Sequence, residues 1–554
     1  MIIDVHPTNK SLLIIRVEYS ERWRLEVLPS KAWNKSLKAW EVLPGVNLQT
    51  LRHEFQKEQF TPEAMELLRI TALNEGPVNL RIFDGKYPGE PMRHQSLALS
   101  LAQDKKSFFF AHAMGTGKTY TILTLCCHLY SKGKIQGLLV VCPASIREDV
   151  WVKEVHKWTS LLNIPAVSHV IHAGKHAATQ KFLETEDNVF RLQVLIASVE
   201  SLSNEKQKAY GFCDTFLKTR SVAMAVDESS RIKNYKAKRT KNVIELGQNA
   251  EYRYCGTGTS VTQGLHDLYS QYRFLDWKII GQKSFYTFRN RYCQMGGFEA
   301  KQIIGYQNIG ELFRLIGPYT HVVRKEDAND LPPKVYETRH VVASAEQKRV
   351  YAQLETYMEA TIGDMELKVD TILERMMRFQ QIAGGNFPIK TEDGWETEPL
   401  SSNPKLYELL EILDETDEQV IIWARFIPEI LAIETALATA YGVRSVVTFY
   451  GGTVDRESSI ARFRSGEARF FVANQQTAGM GLTLTEATLV IYFSNSFSYE
   501  DRVQSEDRCH RTGQNNKVTY IDLLSDLKID HQIQQAQSRK TSMAKYVADE
   551  LSLG

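Results

Sequence analysis

No two of the seven cysteines are spaced as CxxC, and their number is odd. Cys126, Cys127, Cys142, Cys213, Cys255, Cys293 and Cys509 therefore read as small core hydrophobes in a reducing compartment. A disulfide framework and a cysteine zinc site are both disfavoured. An excess of either charge is also missing. Lys plus Arg is 67 against 66 for Asp plus Glu, a formal net charge of +1. That excludes coating of nucleic acid by bulk charge but leaves room for a local basic groove. No apolar run approaches the roughly 18 residues that cross a bilayer, so no membrane partner is expected. The opening MIIDVHPTNK lacks a charged stretch followed by an apolar one, so no secretory signal is read there. The expected location is cytoplasmic or nuclear. Internal repeats, low-complexity tracts and heptad series are absent too. What is present is 554 residues, 43% hydrophobic, 24% charged and 10% aromatic. This is ordinary globular usage, and enough chain for about three or four domains.

Short apolar runs recur, each followed by a loop or a helical pattern. They are Ser107–Ala111, Gly137–Cys142, Gln193–Ala197 and Ser221–Val226, then Gln419–Trp423, Arg444–Phe449, Arg469–Val472 and Thr488–Phe493. Continuous apolar runs between helices predict buried strands of parallel sheets, and two sets predict two α/β domains. Between them, AEQKRVYAQLETYMEATIGDMELKVDTILERMMRFQQIAGG has the apolar spacing of helices. A turn-rich patch covers Asn386–Asn403. Near the N-terminus, VEYSERWRLEVL and AWEVLPG alternate like strands, and NLQTLRHEFQKE reads as a helix.

Three motifs carry chemistry. Met114-Gly115-Thr116-Gly117-Lys118-Thr119 follows one apolar run and precedes a helical one. A strand, a glycine loop and a helix in that order are what a phosphate-binding loop requires. Lys118 would reach the β- and γ-phosphates and Thr119 would hold Mg²⁺. The strict pattern fails at its first glycine, where the chain has His112. Asp227-Glu228 ends another strand, where Asp227 suits Mg²⁺ and Glu228 can orient and deprotonate an attacking water. The third motif is the block 504–514, Gln-Ser-Glu-Asp-Arg-Cys-His-Arg-Thr-Gly-Gln. Arg508 and Arg511, three apart, would share one face of a helix and meet charge developing on a γ-phosphate. His510 between them is read as structural or coupling, since Glu228 fills the base role.

Taken in order, these stretches resemble the SWI/SNF-type DNA-dependent ATPases of helicase superfamily two. The resemblance also rests on Met92-Arg93-His94-Gln95, on the stretch from Leu139 to Ser145, and on Ala197-Ser198-Val199-Glu200. It continues through Ser229-Ser230-Arg231-Ile232-Lys233-Asn234, Gly256-Thr257-Gly258-Thr259, and Arg324-Lys325 with Leu331-Pro332-Pro333-Lys334. Tyr450-Gly451-Gly452 and the run from Ala478 to Thr485 complete it. It covers residues from about 85 to 540. The chain departs from the family pattern at His112-Ala113, usually Asp-Glu, and at Ser230, usually His. Ser260 stands for the usual Pro, and the stretch from Asn495 to Phe497 for Trp-Asn-Pro. The departure at Ser230 suggests that coupling runs through that serine. Phe288-Arg289-Asn290-Arg291-Tyr292-Cys293 and the stretch from Ala32 to Val42 are similar to the HARP-type annealing-helicase branch.

The resemblance implies an α/β fold of two RecA-like parallel-sheet lobes with a helical insertion and a small N-terminal α+β module. Its boundaries read as an accessory module over 1–80, a first lobe over 81–280, an insertion and linker over 281–400, and a second lobe over 401–554. It implies ATP and Mg²⁺ in the cleft between lobes, with Gln95 on the adenine edge and Met114, Gly115, Thr116, Gly117, Lys118, Thr119, Asp227 and Gly481 around the nucleotide. It implies a monomeric motor on duplex or forked DNA without sequence preference, acting with replication or repair proteins. Loops after Pro143 and near Gly481 would grip phosphates. Two other readings stay open: a motor that displaces a bound protein such as a polymerase, and a nucleotide-gated clamp without turnover. The basic run from Arg231 to Lys241 reads equally as a solvated loop or a strip along DNA phosphates. Of Trp23, Trp33 and Trp40, at least two are expected in the core.

Overall fold

Leucine and isoleucine side chains at alternate positions close a small sheet at the N-terminus. Strands β1 (Ile2–Val5), β2 (Leu13–Arg16), β3 (Ala32–Asn34) and β4 (Ala39–Val42) pair antiparallel in the order β1-β2-β4-β3. Ile3, Leu13, Ile15 and Val42 form its core. The stretch expected to alternate as one long strand does not do so: after β2 the chain winds into a 3₁₀ helix, Tyr19–Leu25. Leu25 and Leu28, three apart, enter the core, the spacing of a three-residue turn and not of a strand. The helix Pro62–Glu75 adds Ala64 and Leu68 to the same core.

The structure, a computed structural model, describes the chain apart from residues 9–11, 27, 29–30, 43–50, 52–54, 56–58, 76–82, 84–90, 186–189, 204–207, 259–263, 297–301, 326–331, 358, 363–364, 369–371, 392–393, 476–481, 512–513 and 553–554. Most of the helix expected over NLQTLRHEFQKE lies outside the described residues. The chain divides into two units, Met1–Asn329 with Ala544–Gly554, and Asp330–Met543.

In the first unit the four apolar runs become β5 (Ser107–His112), β6 (Gly137–Cys142), β8 (Leu192–Ser198) and β9 (Val222–Asp227), and two strands outside those runs join them, β7 (Ala166–Val170) and β10 (Tyr252–Gly256). A hairpin of β11 (Cys293–Gly296) and β12 (Gln302–Tyr306) follows, then β13 (Thr320–Val323). The main sheet has the order β13-β5-β10-β9-β6-β8-β7 with parallel pairing throughout. Phe108, Phe110, Leu138, Val140, Ile196 and Ala225 belong to one continuous core. Such strands are buried on both faces, so their carboxyl ends and loops are the places left for polar chemistry. Adjacency of β5, β10 and β9 brings three such ends side by side.

The second unit holds β14 (Lys334–Val341), two hairpins, and a second parallel sheet. The hairpins are β15 (Glu359–Ile362) with β16 (Met365–Lys368) and β17 (Asn386–Thr391) with β18 (Gly394–Pro399). The remaining strands are β19 (Val420–Ala424), β20 (Val446–Phe449), β21 (Phe470–Asn474), β22 (Leu489–Tyr492) and β23 (Val518–Ser525), and the sheet order is β14-β23-β22-β19-β21-β20. The segment expected to be helical is interrupted: helices Ala345–Tyr357 and Ile372–Ala383 flank β15 and β16. The turn-rich patch from Asn386 is the β17–β18 hairpin. Within the span read as an insertion, 281–400, β13 belongs to the first sheet and β14 to the second.

Candidate functional site

The glycine loop begins where β5 ends. Gly115 and Gly117 have φ of +79° and +80°, a region where only glycine is at ease. A Cβ at Gly117 would also collide with the Gln95 amide. Gly117 is the N-cap of the helix Lys118–Ser131 and supplies no side-chain cap, so the first N–H groups of that helix keep their anion-seeking character. The Lys118 ammonium donates to the carbonyls of His112 (3.0 Å) and Ala113 (3.2 Å). Thr116 Oγ1 donates to Ala113 O at 2.8 Å. The Thr116 carbonyl accepts from His94 Nε2 (2.8 Å) and Gln95 Nε2 (3.3 Å). Gln95 Oε1 accepts the Met92 N–H at 2.9 Å. Both ends of the residue expected on adenine thus hold its own helix start and the glycine loop. Met114 N lies 3.1 Å from where a Cβ of Gly258 would sit, so the loop rests against the turn after β10. Thr119 is the second residue of the helix.

Asp227 closes β9. Its Oδ2 accepts the Trp151 indole N–H (2.9 Å) and its Oδ1 the Glu228 backbone N–H (3.0 Å). Burial pushes its carboxyl above the ordinary value, while the Lys118 ammonium and the two N–H donors pull the other way. A Cβ at Gly256, on β10, would lie 3.6 Å from Asp227 Oδ1 and 3.7 Å from Lys118 Cδ. The bare Gly256 is thus where the two charged side chains approach. Glu228 is buried, with φ of +54°, a left-handed backbone that costs a non-glycine residue about 1–2 kcal/mol. Its Oε1 accepts from Thr257 Oγ1 (2.8 Å) and Ser230 Oγ (3.2 Å). The sequence pointed to Ser230; Thr257, named there only within the Gly256–Thr259 stretch and given no role, is a second hydroxyl on the same oxygen.

Behind the glycine loop, His112 Nε2 and His321 Nδ1 share a hydrogen bond of 2.9 Å between β5 and β13. The His94 ring stands edge-on to His112, with centroids 6.3 Å apart. Burial holds His112 well below the ordinary histidine value and brings His321 down to about 3, so both rings are neutral. The sequence flagged His112 as a departure. Nothing in the sequence pairs it with a residue more than two hundred positions later.

In the second unit the arginines do not share a helix face. The helix Tyr499–Glu506 is C-capped by Asp507, so Arg508 and Arg511 both lie past its end. The turn is held by other bonds: His510 Nε2 donates to Pro332 O (2.7 Å), and the Gln514 amide donates to Thr485 O (3.0 Å) and Ala487 O (3.1 Å). The two guanidinium groups still meet: both donate to the Leu482 carbonyl, at 3.3 and 3.2 Å. Arg464, unmarked by any motif, donates to the next carbonyl, Thr483 O, at 3.1 and 2.7 Å. Burial lowers the Arg511 value; Asp507 opposes this and Arg464 adds to it. Gly481 lies outside the described residues. Directly before the arginines, Glu506 accepts from Arg502 Nε (2.7 Å), Lys334 Nζ (2.8 Å) and Tyr336 OH (2.8 Å). Burial alone would raise the Glu506 carboxyl, but Lys334 and Arg502 hold it down to about 2.

Among the described residues no group of three or more His, Cys, Asp or Glu side chains could hold a metal. All seven cysteines are buried thiols. No helix among the described residues is long and apolar enough to cross a membrane.

Comparison with known proteins gives a SNF2-related domain over residues 53–385 and a helicase conserved C-terminal domain over 402–513. The transcription regulatory protein SNF2 of Saccharomyces cerevisiae is 24% identical over 80% of this chain and 26% of its own length. The ATP-dependent helicase brm of Drosophila melanogaster is 24% identical over 81% of this chain and 28% of its own. This chain spans well under half the length of these curated relatives. The SWI2/SNF2 ATPase core of Sulfolobus solfataricus, solved with dsDNA, is 22% identical, covers 84% of this chain and 94% of its own, and has a TM-score of 0.38. With the SNF2-related domain alone spanning more than half of its residues, this chain belongs to the SNF2-related family of helicase-type ATPases.

Proposed function

We propose that this chain is an ATP-driven DNA translocase of SWI/SNF type that moves on duplex or branched DNA and remodels or re-anneals forks in repair or replication. The observation that carries this reading is the approach of Lys118 and Asp227 across Gly256, with Glu228 beside them on Thr257. A cation from the loop after β5 and, both at the end of β9, a metal-binding carboxylate and a base are the parts that phosphoryl transfer to water needs. Thr119 and Asp227 supply hard oxygen donors, the set Mg²⁺ takes when it keeps waters and substrate phosphates as its other ligands. Bound there, Mg²⁺ would neutralise charge on the transferred phosphate.

In this reading Lys118 exchanges two neutral carbonyl partners for anionic phosphate oxygens, a stronger, charge-assisted pairing. Glu228, its carboxylate oriented by Thr257 and Ser230, takes the proton of the attacking water. Arg508 and Arg511 are assigned the charge that develops on the γ-phosphate. Gln95 is assigned a place at the adenine edge as well as at the loop. The fork preference rests on the N-terminal sheet. There Trp33 is 41% exposed, edge-on to Trp40 at 5.3 Å, with the Arg22 guanidinium 5.5 Å from its centroid, a form suited to an unstacked base at a junction.

The test is the ATPase rate with no nucleic acid, duplex, single strand, fork and RNA. Stimulation by duplex and more strongly by forks is expected. An ATPase equally fast with and without DNA rules out the translocase. Stimulation that is the same for forks and plain duplex, or fork preference that survives Trp33→Ala, removes the junction role of the N-terminal sheet.

A further inference from the structure

Two stretches of the first unit lack acidic residues, 229–244 and 277–298. The fold joins them through their rings. Tyr235 stacks on Phe285 with centroids 3.7 Å apart and planes 14° from parallel. Phe285 opens the helix Phe285–Tyr292, whose Ser284 cap accepts the Thr287 N–H at 3.2 Å. Both stretches are pinned to the helix Asp267–Ile280: Ser270 Oγ donates to Lys233 O and Tyr269 OH to Lys283 O, each at 3.0 Å. The Tyr269 ring supports Phe285 and the buried Phe288 from beneath, with centroids 5.5 Å away in both cases. The backbone on either side of the stacked pair is therefore held, and the rings are set by packing.

On this base stands Tyr286. Its ring meets Tyr235 and Phe285 edge-on at 6.4 Å, and the Arg289 guanidinium lies 5.4 Å from its centroid. Even so, it is 58% exposed. A tyrosine braced by two rings and a guanidinium has little rotamer freedom left to lose on binding a ligand. Cations lie close by in the fold or the chain: Lys236 lies 5.8 Å over the Tyr235 ring, and the exposed Lys283, two residues before Phe285, has its ammonium 6.0 Å over the Trp277 ring. An aromatic platform rimmed by cations with no nearby acid in sequence is complementary to a base and its phosphates. It is the wrong surface for an acid-poor peptide.

We propose that Tyr286, braced by Arg289, Tyr235 and Phe285, is a stacking platform for an unpaired base of single-stranded DNA whose phosphates lie on Lys236 and Lys283. The platform rests on the reading of this chain as a DNA motor, and it adds a second, single-strand contact on the first unit.

The experiment measures binding of the full chain to an oligo-thymidine strand of about 20 nucleotides, longer than typical single-strand sites of about 4–16, and to a duplex of equal length. Tyr286→Ala is expected to weaken single-strand binding by about 5- to 150-fold, the range of one base–aromatic stack, and duplex binding far less. Tyr286→Phe, which keeps the ring, retains the affinity. Lys236→Ala and Lys283→Ala each lower the salt dependence of single-strand binding by about 0.7 in log–log slope. Wild-type affinity in Tyr286→Ala overturns the platform, as does an equal loss on duplex. Should Tyr286→Ala unfold, the lysine variants decide alone, since an unchanged salt slope in both is also fatal. The ATPase of the wild-type chain with and without duplex tests the motor separately: stimulation there with no effect at Tyr286 sinks the platform only, and no stimulation sinks the motor.

Discussion

Thr257 donates a 2.8 Å hydrogen bond to Oε1 of Glu228. The hydroxyl comes from the turn after β10 and the carboxylate from the end of β9, so the sheet itself sets the carboxylate's direction. Glu228→Gln is expected to leave ATP binding intact and to slow hydrolysis by about 10²- to 10⁴-fold, the worth of a general base. Thr257→Ala removes only the orienting bond, so a smaller fall in kcat at unchanged KM is expected, and Thr257→Ser should restore it. Single-turnover hydrolysis with nucleotide binding measured in parallel checks all three. A near-normal rate in Glu228→Gln would mean that another group orients the water.

Arg508 and Arg511 donate to one carbonyl, that of Leu482, so they are expected to act as a pair. A single arginine in such a role is worth about 10³- to 10⁵-fold in rate. Arg508→Ala and Arg511→Ala should each cost less than that, and together more than either alone, with the loss in kcat and not in ATP affinity. Lys118→Ala should abolish turnover through loss of phosphate binding. An arginine variant that loses affinity at full kcat contradicts the assignment.

Eight strands of the parallel sheets were readable because a strand buried on both faces is a continuous apolar run, and each run lies within a residue or two of its strand. The partly exposed β7, β10 and β14 were not readable that way, nor were β13 and β23. The phosphate loop was readable because its glycines are required by backbone angle. The contacts that give the site its geometry were not. Thr257 against Glu228, His112 against His321, and Arg464 beside the arginine pair join residues far apart in the chain. No local spacing encodes such meetings; they follow from strand order. The helix face proposed for Arg508 and Arg511 failed for a local reason. Helical spacing was assumed to continue past Glu506, whereas the turn is held by side-chain bonds from His510 and Gln514 that compete with the helix.

His112 and His321 are buried as neutral rings, and His94 and Lys118 around them disfavour protonation further. In the unfolded chain each has an ordinary value near 6.5. Below about pH 6.5 the unfolded chain therefore binds protons that the folded one refuses, down to about pH 3 in the case of His321, and stability rises with pH across that window. Each histidine should contribute a slope of about 1.4 kcal/mol per pH unit. Their contribution is complete above about pH 6.5 and is lost as pH falls. Denaturant midpoints from pH 7 down to 5 check this. A variant carrying His112→Phe and His321→Phe should show a shallower dependence, and an equal slope in it would place the effect on other groups.

Lys334 opens β14, and its ammonium reaches the Glu506 carboxylate, which Arg502 also holds; Arg502 in turn binds Asp522 and lies 3.6 Å over the Tyr492 ring. Glu506 is the last residue of its helix, two positions before Arg508. Removing one partner of a buried pair is more damaging than the pair is worth, because a charge is left behind without compensation; the penalty is about 3–5 kcal/mol for full burial. Lys334→Ala should therefore lower Tm, by less than that range implies, since Arg502 still neutralises Glu506. Glu506→Gln alone should be the more harmful change, because it leaves Lys334 and Arg502 facing one another across a neutral amide. Combining the two should be less destabilising than the sum of the single changes. A further effect separates support of the arginines from mere stability. If Glu506 fixes the start of the turn that carries Arg508, then Lys334→Ala lowers kcat at temperatures well below its Tm, with ATP affinity kept. Additive losses in the double variant, with kcat untouched in Lys334→Ala, would show that the network neither couples these residues nor positions the arginines.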